Sequence, residues 1–239
     1  MSIAYRVLLH DQGPALWPDY IGLADLEGAR QESGTPIFNT MYQADPGGLK
    51  GQIIRREFFR YMGDGAIERD FLANSLCYMT VDPAISEKTS ADETAVCVGN
   101  IAPDATVYLR WFWHGRVGVI DQERVIDQAY RHYRPVTIGI ESVAYQAALI
   151  QMLAERRPDL PLEAITHGKQ DKFSRFLALG ALYEFGKVVH HPSLQSSAYE
   201  HQAVNLPAGK HDDMADAAAM LCAYAGTGAG MTDRPAGFR

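Results

Sequence analysis

Cysteine is scarce in this chain: three in 239 residues, Cys77, Cys97 and Cys222, with no C-x-x-C spacing. That argues against a disulfide-stapled scaffold or a thiolate zinc site, and buried free thiols in a reducing compartment are the expectation. Long apolar runs are also lacking. None approaches the ~18–20 residues of a membrane span, and residues 1–12 carry no signal-type apolar region. Residence in a cytosol, with no membrane partner, is expected. Internal repeats are missing, as is any G-x-x-x-x-G-K-[S/T] phosphate loop. Positive charge is in deficit, 22 Lys and Arg against 29 Asp and Glu, for a net charge of −7. Such a balance speaks against a uniformly basic nucleic-acid binder. It does not speak against a protein that gathers carboxylates in one site and cations around it.

What is present suits a core of real size, since 47% of the residues are apolar. Residues 1–70 are rich in turn signals (Gly13-Pro14, Trp17-Pro18, Asp45-Pro46-Gly47-Gly48) and read as an arm or linker. Two short helical stretches are expected there, at about 22–32, with Leu23, Leu26 and Ala29 on one face, and near 37–43. From residue 71 to 225 the pattern is that of one α/β domain. Leu76 to Val81, Thr94 to Val98 and Thr106 to Trp113 read as strands in an antiparallel meander. Asp121 is the expected N-cap of a helix carrying Val125, Ile126, Ala129, Tyr130 and Tyr133 at helical spacing. A buried strand at Val136 to Ile140, a helix from Val143 to Arg156 and a strand at Leu162 to Thr166 follow. A long helix from Asp171 stops at Gly186, then come a short strand from Lys187 to His190 and a last helix from His211 to Tyr224. Residues 226–239 read as a flexible tail. The expected fold is a mixed central sheet with helices on both faces.

Three acidic segments stand out by position. Asp82 ends an apolar strand and is followed by Pro83; Glu141 ends another. A carboxylate at the C-terminal end of a buried strand points into the crevice where open α/β sheets place ligands. The third segment, His211-Asp212-Asp213-Met214-Ala215-Asp216, opens the last helix, and the spacing of Asp213 and Asp216 sets both on one helix face. Each has a plain alternative: a turn residue for Asp82, a helix cap for Glu141, a dipole partner for Asp212 and Asp213. Together they are harder to dismiss. Two carboxylates ~4 Å apart repel by roughly 4 kcal/mol at an effective dielectric of about 20, a cost that calls for a cation or for shared protons. Hard oxygen ligands without thiolates point to two divalent ions, Mg²⁺ or Mn²⁺, bound by Asp82, Glu141, Asp213 and Asp216, with Asp212 as a second-tier ligand. Such a site suits phosphodiester hydrolysis, with Asp82 bridging both ions.

These segments resemble the C-terminal nuclease domain of phage terminase large subunits, in the RNase H-like superfamily that includes RuvC-type resolvases. Val81-Asp82-Pro83-Ala84, Ile140-Glu141-Ser142-Val143-Ala144-Tyr145-Gln146 and His211-Asp212-Asp213-Met214-Ala215-Asp216-Ala217 are similar to its acidic motifs in order. Asp171-Lys172-Phe173-Ser174-Arg175 is similar to its D-K-x-x-R segment, and Glu184-Phe185-Gly186-Lys187-Val188 to its E-x-G-x-V. Leu16-Trp17-Pro18 and Met41-Tyr42-Gln43-Ala44-Asp45-Pro46 resemble the stretch that joins the packaging ATPase to the nuclease. The resemblance, over about residues 14–224, implies an RNase H-like fold and a metal-dependent endonuclease that cuts concatemeric double-stranded DNA. It also implies a portal protein or procapsid and a small terminase subunit as partners, and the host-cell cytoplasm as the setting. Without the phosphate loop, ATP hydrolysis is not expected of this polypeptide.

Lys169, Lys172 and Arg175 are the expected DNA-phosphate contacts, with His211 in support and Arg110, Arg116, Arg124, Arg131 and Arg134 as a further basic rim. The plain alternative for the lysines is a solvated helix face. No base-reading module is evident, so cleavage should be largely sequence-independent and weaken with salt. Two rival readings stay open: a junction-resolving or repair nuclease of the same superfamily, and a catalytically silent docking module of a packaging motor.

Overall fold

The computed structural model describes residues 15–16, 18–43, 52–63, 65–84, 93–142, 147–166 and 171–226. In chain order the elements are α1 (Leu23–Ser33), α2 (Thr35–Tyr42), α3 (Ala66–Ala73), β1 (Leu76–Asp82), β2 (Thr94–Ile101), β3 (Val107–Gly115), α4 (Val119–Tyr133), β4 (Thr137–Glu141), α5 (Ala147–Arg156), β5 (Leu162–Ile165), α6 (Lys172–Glu184), β6 (Val188–His190), α7 (Ala198–Val204) and α8 (Asp213–Gly226). The strands form one sheet in the order β5-β4-β1-β2-β3-β6. β1, β2 and β3 are the antiparallel meander; β4 runs parallel to β1, β5 to β4 and β6 to β3. This is the RNase H-like arrangement expected from the sequence, with β6 added beyond β3. No helix of the described residues is long and apolar enough to cross a membrane.

β1 and β2 are buried almost throughout because both sheet faces are covered, which is why they read as continuous apolar runs rather than alternating ones. On one face Tyr78, Ala95, Cys97 and Leu109 pack with α6, α7 and α8. On the other, Met79, Val81, Val96 and Val98 pack with α4 and α5. α8 is buried nearly all round, and its alanines (Ala215, Ala217, Ala218) let it lie close on the sheet. Gly99 makes room for that approach: a Cβ there would lie 2.8 Å from the Tyr108 carbonyl oxygen and 3.2 Å from Leu221. All three cysteines are buried free thiols.

Several local expectations are corrected. α4 begins at Val119 with Gly118 as N-cap, and Asp121, one turn in, instead pairs with Arg124. Leu26 is buried, but Leu23, expected on the same face, is 55% exposed because only Leu26 meets Phe38 and Ala15. Gly186 does end its helix, in a left-handed conformation (φ 67°). α3 and α7, both short, were not anticipated. The expected helix start at residues 143–146, the Trp17 position and the Asp45-Pro46 turn lie outside the described residues.

The chain before β1 is tied to the sheet edge by a buried polar network. Tyr61 bridges to His190 in β6, and its hydroxyl donates to Glu200 Oε1 (2.7 Å). The same oxygen takes the Nδ1–H of His190 (2.8 Å), while Oε2 accepts from Ser196 N (2.7 Å). With Nδ1 donating, His190 Nε2 is left to accept from Tyr183, whose hydroxyl meets Tyr199 at 2.6 Å. Burial pushes the His190 imidazole below its ordinary pKa, against the pull of Glu200. Removing the acceptor strands the buried His190 Nδ1–H beside the more exposed Tyr61 and Ser196 donors, so Glu200→Ala should cost about 1–3 kcal/mol in urea unfolding. Glu200→Gln, which keeps an acceptor, should cost less. A loss below about 1 kcal/mol for the alanine variant would show that water replaces the carboxylate cheaply.

Candidate metal centre

β1 and β4 are neighbours running in the same direction, with Val81 paired to Ile140, so Asp82 and Glu141 end side by side at one edge of the sheet. α8 crosses that edge. Thr80, two residues before Asp82 on the same face, donates its hydroxyl to the Ala217 carbonyl in α8 (2.7 Å). The exit from β1 is held by Ala84 N donating to Thr94 Oγ1 (3.0 Å). Asp213, the first residue of α8, and Asp216, one turn later, are both buried, at 6% and 4% exposure. The helix start is fixed by Met214 N donating to Gln202 Oε1 (3.0 Å) and Asp216 N to the Asp212 carbonyl (2.8 Å).

The electrostatics of Asp82 report the convergence. Its carboxyl is held well above the usual carboxylate pKa, first by burial, then by the charge of Glu141 and a hydrogen bond with it, then by Asp216 and Asp213. Four acidic side chains from β1, β4 and α8 thus share one region of space, and their mutual repulsion disfavours the charged form of Asp82. Asp82 and Glu141 are half-buried, open to the crevice.

Asp216 is handled differently from the rest. Asp171 caps α6 by accepting from Ser174 N and Ser174 Oγ (both 2.9 Å), which aims Lys172 and Arg175, three apart, at α8. Arg175 Nη2 donates to Asp216 Oδ1 (2.8 Å); Lys172 Nζ reaches Asp216 Oδ2 (2.5 Å) and Asp212 Oδ1 (2.8 Å). Burial works against the charge on Lys172, yet hydrogen bonds to Asp212 and Asp216 raise it above the usual lysine range. Both oxygens of Asp216 are therefore engaged by cations. Among the described residues no three acidic, His or Cys side chains already surround a common metal position. With Asp216 paired to the α6 cations, Asp82, Glu141 and Asp213 are the remaining carboxylates of the cluster. This set fits a divalent ion: the donors are hard oxygens, the thiols are buried in the core, and the like-charge crowding that raises the Asp82 pKa is what a cation relieves.

Of the other expected site residues, Lys169 lies outside the described residues. His211 is half-buried just before α8, and its charge helps lower the Glu93 carboxyl pKa, behind the hydrogen bond and charge of His114 and the charge of Arg116. The arginines of the expected basic rim are largely engaged locally. Arg124 and Arg131 pair with Asp121 and Asp127 along α4, and Arg110 and Arg134 lie over the rings of Tyr133 and Tyr130 on the same helix. Of those five, Arg116 is the one placed by the site, beside Glu93 and His114. The sequence reading passed over Glu93 and His114 because their meeting depends on the β2–β3 register, Ala95 opposite His114.

Sheet order and carboxylate edge define an α/β domain of the RNase H-like class. The chain belongs to the family described as the terminase RNase H-like domain, whose model matches residues 79–224. Membership places it among nucleases of that superfamily. No curated protein sequence matches the chain. Among solved structures it is similar to the human cytomegalovirus terminase nuclease domain soaked with Mn and bound to an inhibitor. That match is 14% identical, covers 72% of this chain and 94% of that one, and has a TM-score of 0.49. The large terminase nuclease of thermophilic phage G20c with bound magnesium is also 14% identical, over 74% of this chain and 95% of that one, with a TM-score of 0.48. A fowlpox virus resolvase in complex with Holliday junction DNA matches at 14% identity over 64% of this chain and 98% of that one, with a TM-score of 0.41.

Proposed function

We propose that this chain is the nuclease portion of a viral genome-packaging terminase large subunit, cutting concatemeric double-stranded DNA by metal-dependent phosphodiester hydrolysis. The observation that carries the reading is the crowding of Glu141, Asp213 and Asp216 around Asp82 at the open edge of the sheet. Asp82, Glu141 and Asp213 would hold the divalent ions, Mg²⁺ or Mn²⁺. Ions bound there would lower the pKa of a water nucleophile and offset charge on the leaving oxygen. Asp216 acts from behind, its orientation set by Arg175 and Lys172. Lys172, 46% exposed, is able to turn from Asp212 toward a DNA phosphate, whereas Arg175, 14% exposed, stays on Asp216. No groove-reading helix or ribbon is needed for such contacts, so cutting is largely independent of sequence. Family membership supports a portal or procapsid and a small terminase subunit as partners and the host-cell cytoplasm as the setting.

The test is cleavage of linear duplex and of a four-way junction of equal length with Mn²⁺ or Mg²⁺ and with EDTA. Both substrates should be cut at comparable rates, only with metal, and more slowly as salt rises. Cleavage confined to the junction would replace this reading with a resolvase, and cutting in EDTA would remove the metal from it.

A further inference from the structure

A cleft of about 410 Å³ opens between α7 and the segment that leads from it into α8. Its polar lining is His201, Gln202, Asn205, Lys210 and His211, and the rest is an alanine and a glycine. In a chain of net charge −7, none of the described residues lining it carries a carboxylate. The cleft also adjoins the metal centre. Gln202 Oε1 accepts from Met214 N (3.0 Å), the amide of the peptide that joins Asp213 to Met214. One wall thus lies a single hydrogen bond from the carboxylate cluster, and Lys210 stands three positions before Asp213 in the chain.

Each polar side chain can be followed to the donors it has left. With Oε1 given to Met214, Gln202 keeps the two N–H donors of its amide. Asn205 Nδ2 donates to the His201 carbonyl (2.7 Å) and lies 3.4 Å from His201 Nδ1. An amide nitrogen only donates, so Nδ1 accepts and the neutral ring carries its proton on Nε2. His201 therefore keeps a donor without being charged. Lys210 is exposed and makes no hydrogen bond or ion pair among the described residues. Asp212, two residues further on, is paired with Lys172 instead. Lys172 and Arg175 are held by carboxylates, whereas the charge of Lys210 is uncommitted. A concave surface of uncommitted donors, one of them cationic and none faced by an acid, suits an anion.

We propose that this cleft holds a backbone phosphate of the DNA strand bound at the Asp82 centre. Lys210 supplies the charge, and the Gln202 amide and His201 Nε2–H supply neutral hydrogen bonds that read no base. The proposal rests on the nuclease reading of the carboxylate edge. It adds a contact on the α7 side to Lys172 on the α6 side.

The experiment uses the full chain, a labelled linear duplex and EDTA to prevent turnover, with affinity measured from low to moderate salt. Lys210→Gln should lower the slope of log affinity against log salt by about 0.9, the share of one phosphate contact. His201→Phe removes a neutral donor, so it should weaken binding about 2–10-fold with the slope unchanged. Thermal unfolding of Lys210→Gln should match the parent, since the side chain is exposed and unpaired. With Mn²⁺ its cutting should show a raised KM and a parental kcat. A parental slope for Lys210→Gln, where the parent binds and cuts DNA, would overturn the phosphate site and leave the nuclease reading standing. Millimolar inorganic phosphate at fixed ionic strength should leave the parent's slope as it is. A fall to the Lys210→Gln slope would assign the cleft to free phosphate and overturn the DNA contact. A parent chain that neither binds nor cuts DNA would overturn both readings.

Discussion

Replacing Asp82 with asparagine is expected to reduce Mn²⁺-dependent nicking of supercoiled plasmid by more than about 100-fold. Removing even an outer-shell partner of a metal ligand typically costs 10–100-fold in affinity or activity, so loss of the central oxygen donor should exceed that. Asp82 is the side chain on which Glu141, Asp213 and Asp216 all act. The asparagine keeps the volume and one carbonyl oxygen, so the fold should survive and the loss be chemical. Nicking at parental rates by Asp82→Asn would turn the chain into a docking module whose acidic cluster has no catalytic part.

The second large effect is on stability, with opposite signs at two carboxylates of one cluster. Without metal, folding forces Asp82 against three acidic neighbours, and its carboxyl is held well above the usual range by burial and by Glu141. The unfolded chain titrates this group near about 3.9, so between that value and the higher folded one the native state binds more protons. Stability of the metal-free protein should therefore fall as pH rises through this interval and level off once the folded group has ionised. Asp82→Asn should flatten the fall and raise the metal-free melting temperature at neutral pH. Asp216→Asn should lower it, because Arg175, 14% exposed, and Lys172 lose their shared counter-charge. Mn²⁺ at 100 times its Kd should add about 2.7 kcal/mol to the parent, or about 5–10 °C for a domain of this size. The gain should grow with pH because the ligands bind deprotonated. Asp82→Asn should show little of it. A melting temperature that ignores Mn²⁺, or that rises with pH in EDTA, would contradict this electrostatic picture.

The parts of this site visible in the sequence are those set by local rules. A buried strand broken by Pro83 announces where Asp82 stands, and the apolar run before Glu141 does the same. α8 is legible from its spacing, though not that Asp216 in its first turn would be paired with cations of α6. That pairing depends on how α6 crosses α8, which spacing along one helix does not encode. Lys172 and Arg175 read from the sequence as DNA-phosphate contacts, and in the fold they meet the carboxylates of Asp212 and Asp216. The partners of the rim arginines are local for a related reason: along α4, arginines find acids three or four residues away or a nearby tyrosine ring. Glu93 and His114 are 21 positions apart and meet through hairpin register alone. Counting outward through the β2–β3 pairing is the signal that would have found them.

The central claim, that Asp82, Glu141 and Asp213 together bind divalent metal, is met most directly by soaking crystals of the chain in Mn²⁺ and mapping anomalous scattering. The account predicts one or two peaks coordinated by Asp82, with Glu141 and Asp213 turned toward them and Asp216 still on Arg175. An empty map at this edge, with peaks only at surface acids or none at all, would contradict it.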